Sequence, residues 1–252
     1  MNYTLIRNAT AVLTIGGSRF LIDPMLDPAG ARPPVENTPN QHPNPLVPLP
    51  VGWEETIADP DAYVITHLHE DHFDKMAAAT VSRGPPLFCQ PEDVDRHRGT
   101  GFLDIRPVET ETTFDEVSIV RTVAEHGTGE IGQLMAPASG FIFDAPNDSR
   151  TYLAGDTVWG HAVADAIDRH TPEVIILNAS GARFLYGDPI VMNTADILRV
   201  HQAAPDALLV IVHLEAINHC LETRQYYRDV LPAMGIPLDR LRIPEDGEQV
   251  IW

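Results

Sequence analysis

Apolar and polar positions alternate from the first residues of the chain. Tyr3 to Arg7, Ala11 to Ile15 and Arg19 to Ile22 each read as a strand, and Gly16-Gly17-Ser18 between the last two is a tight-hairpin signal, so residues up to Ile22 form a β-meander. From Pro24 to Pro50 the periodicity vanishes into proline, asparagine and small residues. That stretch is a long irregular loop rather than a linker, because too little chain precedes it to make a domain. Such loops cover an active site, contact a neighbouring subunit, or simply run over the surface. Beyond it, short apolar strands alternate with polar or helical stretches. Ala62–Thr66 leads into a histidine-rich turn and a helix from about Asp74; Leu87–Cys89 precedes a short helix; Val117–Val123 alternates as a strand; Phe141–Phe143 and Thr151–Leu153 form a hairpin around Pro146-Asn147-Asp148. The last third reads strand Val174–Leu177, helix Thr194–Gln202, strand Leu208–Val212, helix Arg224–Met234 and strand Leu241–Ile243, with Thr223 as N-cap and Gly235 as the C′ residue of the second helix. A β-rich first half and an α/β second half must share a core, and two sheets packed face to face with helices outside satisfy this α+β pattern.

Length and composition sharpen this picture. The 252 residues, 44% hydrophobic and 21% charged, suit a soluble globular chain of one large domain or two small ones. Roughly three quarters of the unfolded surface is buried at this size, so no disulfide staple is needed. With Cys89 and Cys220 as the only cysteines, the reducing cytoplasm is the expected compartment. No basic-then-apolar leader opens the chain and no apolar run is long enough for a bilayer, so no membrane partner is expected. Lys and Arg total 17 against 36 acidic residues, a net charge of -19 that disfavours nucleic acid as a partner. Eleven histidines stand out in so acidic a chain, because histidine is the commonest metal ligand.

His67-Leu68-His69-Glu70-Asp71-His72 follows directly on the apolar strand, placing four potential ligands in six consecutive residues. Along an extended segment His67 and His69 point the same way and can hold one metal, while Asp71 and His72 in the turn beyond reach a second. A solvated polar loop is the alternative, although this spacing rarely falls by chance behind a buried strand. The same address recurs: His126 ends the strand through Val123, Asp156 follows Leu153-Ala154-Gly155, and His213 ends Leu208–Val212. Taken singly, each reads as readily as a cap or a turn residue. Together they complete a set of seven.

This constellation resembles the metallo-β-lactamase superfamily, whose HxHxDH motif is matched by His67, His69, Asp71 and His72, and the likeness runs over nearly the whole chain. Ser139–Ile142, Leu153–Thr157 and His213–Cys220 are most similar to the branch that includes the L-ascorbate-6-phosphate lactonases. The resemblance implies a four-layer αββα sandwich with the site at the sheet edges. It assigns His67, His69 and His126 to one metal, Asp71, His72 and His213 to another, and Asp156 to the bridge between them. Where di-iron oxidoreductases similar to this superfamily carry Glu, this chain has His69, which turns the reading from redox to hydrolysis.

Two divalent cations sharing a hydroxide supply a nucleophile at neutral pH, since coordination lowers the pKa of water from 15.7 to about 7. Nitrogen and oxygen donors suit zinc, with manganese or iron as alternatives. The expected reaction is hydrolysis of a small-molecule carbonyl compound, a lactone or related ester or amide; a phosphodiester or thioester, or metal binding without catalysis, are the other readings. Asn178, Arg183 and Tyr186 are candidates for substrate binding, against a turn in which Asn178 caps backbone groups and a packing role for Tyr186. Asp23 is placed to hydrogen-bond a ligand histidine. Asp71, Glu215 and His219 are the candidate catalytic residues, with His219, an imidazole of ordinary pKa near 6.5, suited to protonating a leaving group. The alternative is that Glu215 and His219 tie their loop down. A homo-oligomer is compatible with the Pro-rich segment acting as a subunit contact.

Overall fold

The computed structural model describes residues 1–252 and contains fourteen strands in two sheets. The chain runs β1 (Asn2–Arg7), β2 (Thr10–Ile15), β3 (Ser18–Ile22), α1 (Trp53–Ile57), β4 (Ala62–Ile65), α2 (Lys75–Thr80), β5 (Leu87–Cys89), α3 (Val94–Gly99) and β6 (Ile105–Pro107). It continues with β7 (Glu111–Phe114), β8 (Val117–Ala124), α4 (Gly129–Leu134), β9 (Ala138–Asp144), β10 (Thr151–Leu153), α5 (His161–His170) and β11 (Val174–Asn178). The last elements are α6 (Thr194–Ala203), β12 (Leu208–Val212), α7 (Arg224–Ala233), β13 (Leu241–Arg242) and β14 (Gln249–Ile251). The first sheet has the order β14-β1-β2-β3-β4-β5-β6 and the second β13-β12-β11-β10-β9-β8-β7. Each begins as an antiparallel meander and continues in parallel strands fed by helical crossovers.

Strand alternation decides what each layer buries. Leu5, Leu13, Phe20 and Val64 of the first sheet meet Ile119, Phe141, Phe143, Ile176 and Val210 of the second in a shared core of 22 buried residues. Their neighbours Ile6, Val12, Leu21 and Ile65 face outward and are covered by Ala77 of α2 and by Phe73 and Phe102. On the far side Tyr152, Ile175, Leu177 and Ile211 pack against Val163 and Ile167 of α5, Ile197 and Val200 of α6, and Tyr227 and Leu231 of α7. Strands covered on both faces read as continuous apolar runs, as β4, β11 and β12 do. The result is the expected αββα sandwich.

Several elements lie outside the sequence expectation: α1, α4, α5, β6, β7 and β14. Of these, β6 and β7 are largely exposed edge strands, and α5 is introduced by Gly160 with no side-chain cap. The expected helix ends are close, since α7 stops at Ala233 and Gly235 follows at φ +100°, while Thr223 caps it by accepting from the Tyr226 amide at 3.2 Å. Between Ile22 and Trp53 the Pro-rich segment holds no helix and only the bridge Arg32–Asn44. It is anchored by the buried Arg7 guanidinium, which donates to the carbonyls of Met25, Asp27 and Val47 at 2.9, 2.9 and 3.0 Å.

Candidate metal centre

Each candidate ligand stands where a strand stops. His67 follows β4, His126 follows β8, Asp156 follows β10 and His213 follows β12, and because β8, β10 and β12 run the same way their carboxyl ends share one edge of the second sheet. The Ser139 amide donates to the Thr66 carbonyl at 3.2 Å, holding the two sheets together beside the ligands. Gly155 turns the chain toward Asp156 at φ +68°, and a Cβ there would lie 2.5 Å from the Ser139 carbonyl oxygen, so only glycine fits. His213 itself adopts φ +65°, a left-handed conformation that costs a non-glycine residue about 1–3 kcal/mol. Its amide donates to Asn8 O at 3.0 Å, and Asn8 Nδ2 donates to Asp71 O at 3.2 Å, which fixes two ligand-bearing turns to the β1–β2 turn.

Two groups of donor atoms converge, one on His67, His69 and His126 and the other on Asp71, His72, Asp156 and His213, each within a 4.8 Å span. In the first, His67 Nε2 and His126 Nε2 lie 3.0 and 3.2 Å from His69 Nδ1. In the second, His213 Nε2 lies 3.2 Å from Asp71 Oδ2. Asp156 stands between them with its oxygens divided. Oδ1 faces His72 Nε2 at 3.3 Å and His213 Nε2 at 3.7 Å, while Oδ2 faces His126 Nε2 at 3.6 Å and His67 Nε2 at 3.9 Å.

The outward nitrogens are held from behind. His72 Nδ1 meets Asp23 Oδ2 at 2.8 Å, His126 Nδ1 meets the Ile190 carbonyl at 2.8 Å, His67 Nδ1 meets Thr66 Oγ1 at 3.2 Å and His213 Nδ1 meets Cys220 Sγ at 3.7 Å. Asp23 also accepts from the Thr66 amide and hydroxyl at 2.7 and 2.6 Å, as the sequence position of this carboxylate led us to expect. Inward, His72 Nε2 is buried with no hydrogen-bond partner. Histidines fixed on one nitrogen and converging on the other, around two carboxylates, are a donor set suited to divalent metal.

Electrostatics agree with that reading. Burial pushes the His67 and His69 imidazoles below their ordinary values. At His72 burial pulls the same way, but Asp156, Asp23 and Asp71 outweigh it and push the pKa up to about 10. Asp71 and Asp156 would be raised by burial, yet the neighbouring His72 and His213 hold both well below the usual carboxylate range. His213 is likewise raised, Asp156 outweighing its burial, so the two carboxylates and these two histidines attract one another across the second donor group.

A cavity of about 320 Å³ opens over the centre, with His69, Asp71, His126 and Asp156 on its floor and Pro33, Pro34, Val35, Met135, Phe184, Ile190 and Ile217 among its walls. Arg32, the only arginine or lysine among the lining residues, is engaged with Asp27 at 3.1 Å and with the exposed Glu70 at 3.5 Å. The larger groove of about 680 Å³, lined in part by Thr171, Pro205, Asp239 and Trp252, borders neither donor group.

The remaining expected site residues take varied places around the centre. Asn178 is buried behind the centre and donates to Asp156 Oδ1 at 2.8 Å, so it orients a ligand rather than meeting a substrate. Arg183 and Tyr186 are exposed and off the cavity wall; the neighbouring Phe184 takes the place on it. Glu215 is committed to Arg224, accepting from its amide at 3.0 Å and from Nη1 at 2.6 Å, and is a loop tie rather than a catalytic group. His219 does line the cavity, and burial lowers its pKa to about 4, which favours the neutral imidazole. Sequence reasoning missed Arg32, Asn44, Phe184 and Ile217 as wall residues. Only Arg32, the sole arginine of the Pro-rich segment, carried any signal there.

A family model described as a beta-lactamase superfamily domain matches residues 18–214. The chain belongs to the metallo-β-lactamase superfamily. UPF0173 protein YddR of Bacillus subtilis (strain 168) is 38% identical over 251 residues, 98% of either chain. Among solved structures, a possible metal-dependent hydrolase from Veillonella parvula DSM 2008 superposes with a TM-score of 0.95 at 36% identity, covering 99% of this chain and 98% of that one. An isothiocyanate hydrolase from Delia radicum gut bacteria superposes with a TM-score of 0.94 at 37% identity, covering 100% and 99%. In this superfamily setting the chain is a metal-dependent hydrolase, and the His/Asp cluster is its candidate metal-binding site. No helix is long and apolar enough to cross a membrane.

Proposed function

We propose that the chain is a dinuclear metal hydrolase that opens the electrophilic carbon of a small, uncharged, apolar-bodied substrate, with isothiocyanates the leading class. His67, His69 and His126 would hold one ion and Asp71, His72 and His213 the other, with Asp156 serving both and zinc the leading metal. Bound there, the two ions supply a hydroxide-strength nucleophile at neutral pH and polarise the electrophile. The chain's own residues do the rest. Asn178 and Asp23 keep Asp156 and His72 aimed inward, the apolar walls exclude bulk water and receive the organic substituent, and His219 offers a neutral ring nitrogen at the cavity wall to hydrogen-bond the reacting group. In the overall reaction R–N=C=S and water give R–NH₂ and carbonyl sulfide: the water oxygen bonds the central carbon, the carbon–nitrogen bond breaks, and nitrogen takes both protons.

The observation that carries this reading is the cavity itself, which sets apolar walls over a metal-ligand floor while its one arginine is already paired. A phosphate or carboxylate substrate would find no unpaired arginine or lysine there and would have to rely on the metals alone. The likeness to an isothiocyanate hydrolase over the full length supports the same choice. A lactone or ester is the second reading, since the apolar walls and metal floor would equally receive a neutral carbonyl compound.

The test is to reconstitute purified protein with zinc, manganese or iron and supply benzyl isothiocyanate, a γ-lactone and an aryl phosphodiester in parallel. Consumption of the isothiocyanate with release of benzylamine, abolished by chelator, is the expected result. Turnover of the lactone alone would move the substrate to the second reading, and no turnover of any would leave a metal-binding protein without this chemistry.

A further inference from the structure

The Pro-rich wall of the cavity is held by one buried side chain. Asn218 is 0% exposed and lies between Ile217 and His219, both of which line the cavity, in the loop that also carries His213. Every polar atom of its carboxamide is spent on the Pro-rich segment. Oδ1 accepts from the Val35 amide at 3.0 Å and from Asn44 Nδ2 at 2.7 Å; Nδ2 donates to the Val35 carbonyl at 3.1 Å, to Thr38 Oγ1 at 2.7 Å and to the Asn40 carbonyl. Asn44 answers reciprocally by accepting from the Asn218 amide at 2.8 Å. The Leu46 amide adds a bond to the Ala216 carbonyl at 2.7 Å, and the buried Met25, Ala216 and Ile217 pack beneath Val35.

This arrangement joins opposite sides of one cavity. Val35 and Asn44 belong to the Pro-rich wall, Ile217 and His219 to the facing loop, and the Leu185 amide, next to the wall residue Phe184, donates to the Asn37 carbonyl at 2.7 Å. In a space of about 320 Å³, a wall displaced by a fraction of an ångström changes which substituents fit. A buried carboxamide with all its bonds made defines one position sharply, because any shift leaves a desolvated donor or acceptor unpaired. We infer that Asn218 is a positioning residue that sets substrate specificity, by fixing the spacing between the Pro-rich wall and the loop of Ile217 and His219. It touches no ligand atom, so its effect falls on what binds rather than on the metal centre. This inference rests on the hydrolase reading above.

The experiment compares wild type with Asn218→Asp, which keeps the shape but removes both donors, and with Thr38→Val, a milder loss of one partner away from the cavity. Methyl and benzyl isothiocyanate report small and bulky substituents, metal content is measured on each protein, and amide exchange is followed over residues 33–47. Both variants should retain metal, speed exchange at Val35 and Leu46 by about tenfold, and change the benzyl-to-methyl ratio of kcat/KM by about tenfold, chiefly through KM. Faster exchange with an unchanged ratio would make Asn218 a structural tie only and overturn the inference, as would unchanged exchange. If the wild type consumes neither compound, the isothiocyanate reading falls and takes this inference with it, an outcome distinct from an active wild type whose variants keep its selectivity.

Discussion

Asp156 is the residue on which the two halves of the ligand set depend, since Oδ1 faces His72 and His213 while Oδ2 faces His67 and His126. Asp156→Ala should therefore lower occupancy of both ions together, read by metal analysis after dialysis; loss of one ion alone would make Asp156 a terminal ligand. Asp23→Ala removes the carboxylate that fixes His72 Nδ1 and should weaken metal affinity by about 10–100-fold in competition with a chromophoric chelator, leaving the fold in place. His219→Ala should cut kcat/KM by ~10²-fold at unchanged metal content if its ring nitrogen meets the reacting group; an intact rate would reduce it to wall packing. The seven ligand candidates were legible because chemistry and address coincide: four are a His or Asp at or just past the end of an apolar run, and His69, Asp71 and His72 follow the first of these in one short motif. Glu215 and Asn178 were not, because their roles depend on partners that only folding supplies. Arg224 arrives from the start of α7 to claim Glu215, and Asp156 comes from 22 positions upstream to claim Asn178.

Among the elements, those buried on both faces announced themselves and those at the margins did not. β4, β11 and β12 are uninterrupted apolar runs, while β6 and β7 are exposed edges whose polar residues carry no strand signal. Helix α5 hides differently, with Val163, Ala166 and Ile167 at helical spacing but a glycine where a capping side chain would mark its start. The Pro-rich segment was legible as irregular, but not its route, because long-range bonds from Arg7 and Asn218 set it. Helix α2 has the opposite character, being begun by Asp74, which accepts from the Ala77 amide at 2.7 Å and also from the Asp27 amide at 2.7 Å. Asp74→Ala should cost about 1 kcal/mol or somewhat more of unfolding free energy in urea, because it removes a cap and a tie to the Pro-rich segment at once. An unchanged midpoint would show that water replaces both bonds.

For the molecule as a whole, acid stability has an identifiable contributor away from the metal centre. His97 is fully buried against Phe73 and Phe102 with neither ring nitrogen hydrogen-bonded, and burial, reinforced by Arg96, lowers its pKa to about 4. The unfolded chain takes up this proton below about 6.5 and the folded chain only near 4, so stability is lost as pH falls through that window, by up to about 3 kcal/mol. His97→Leu should flatten this part of the stability curve between pH 6.5 and 4, and an unaltered curve would place the acid sensitivity elsewhere. The central claim, however, is that the folded chain brings its strand-end histidines and aspartates together as a metal centre for two ions. Metal analysis of protein purified without chelator and reconstituted with zinc, manganese or iron tests this most directly. The account predicts about two divalent ions per chain, and protein that binds none after reconstitution would contradict it.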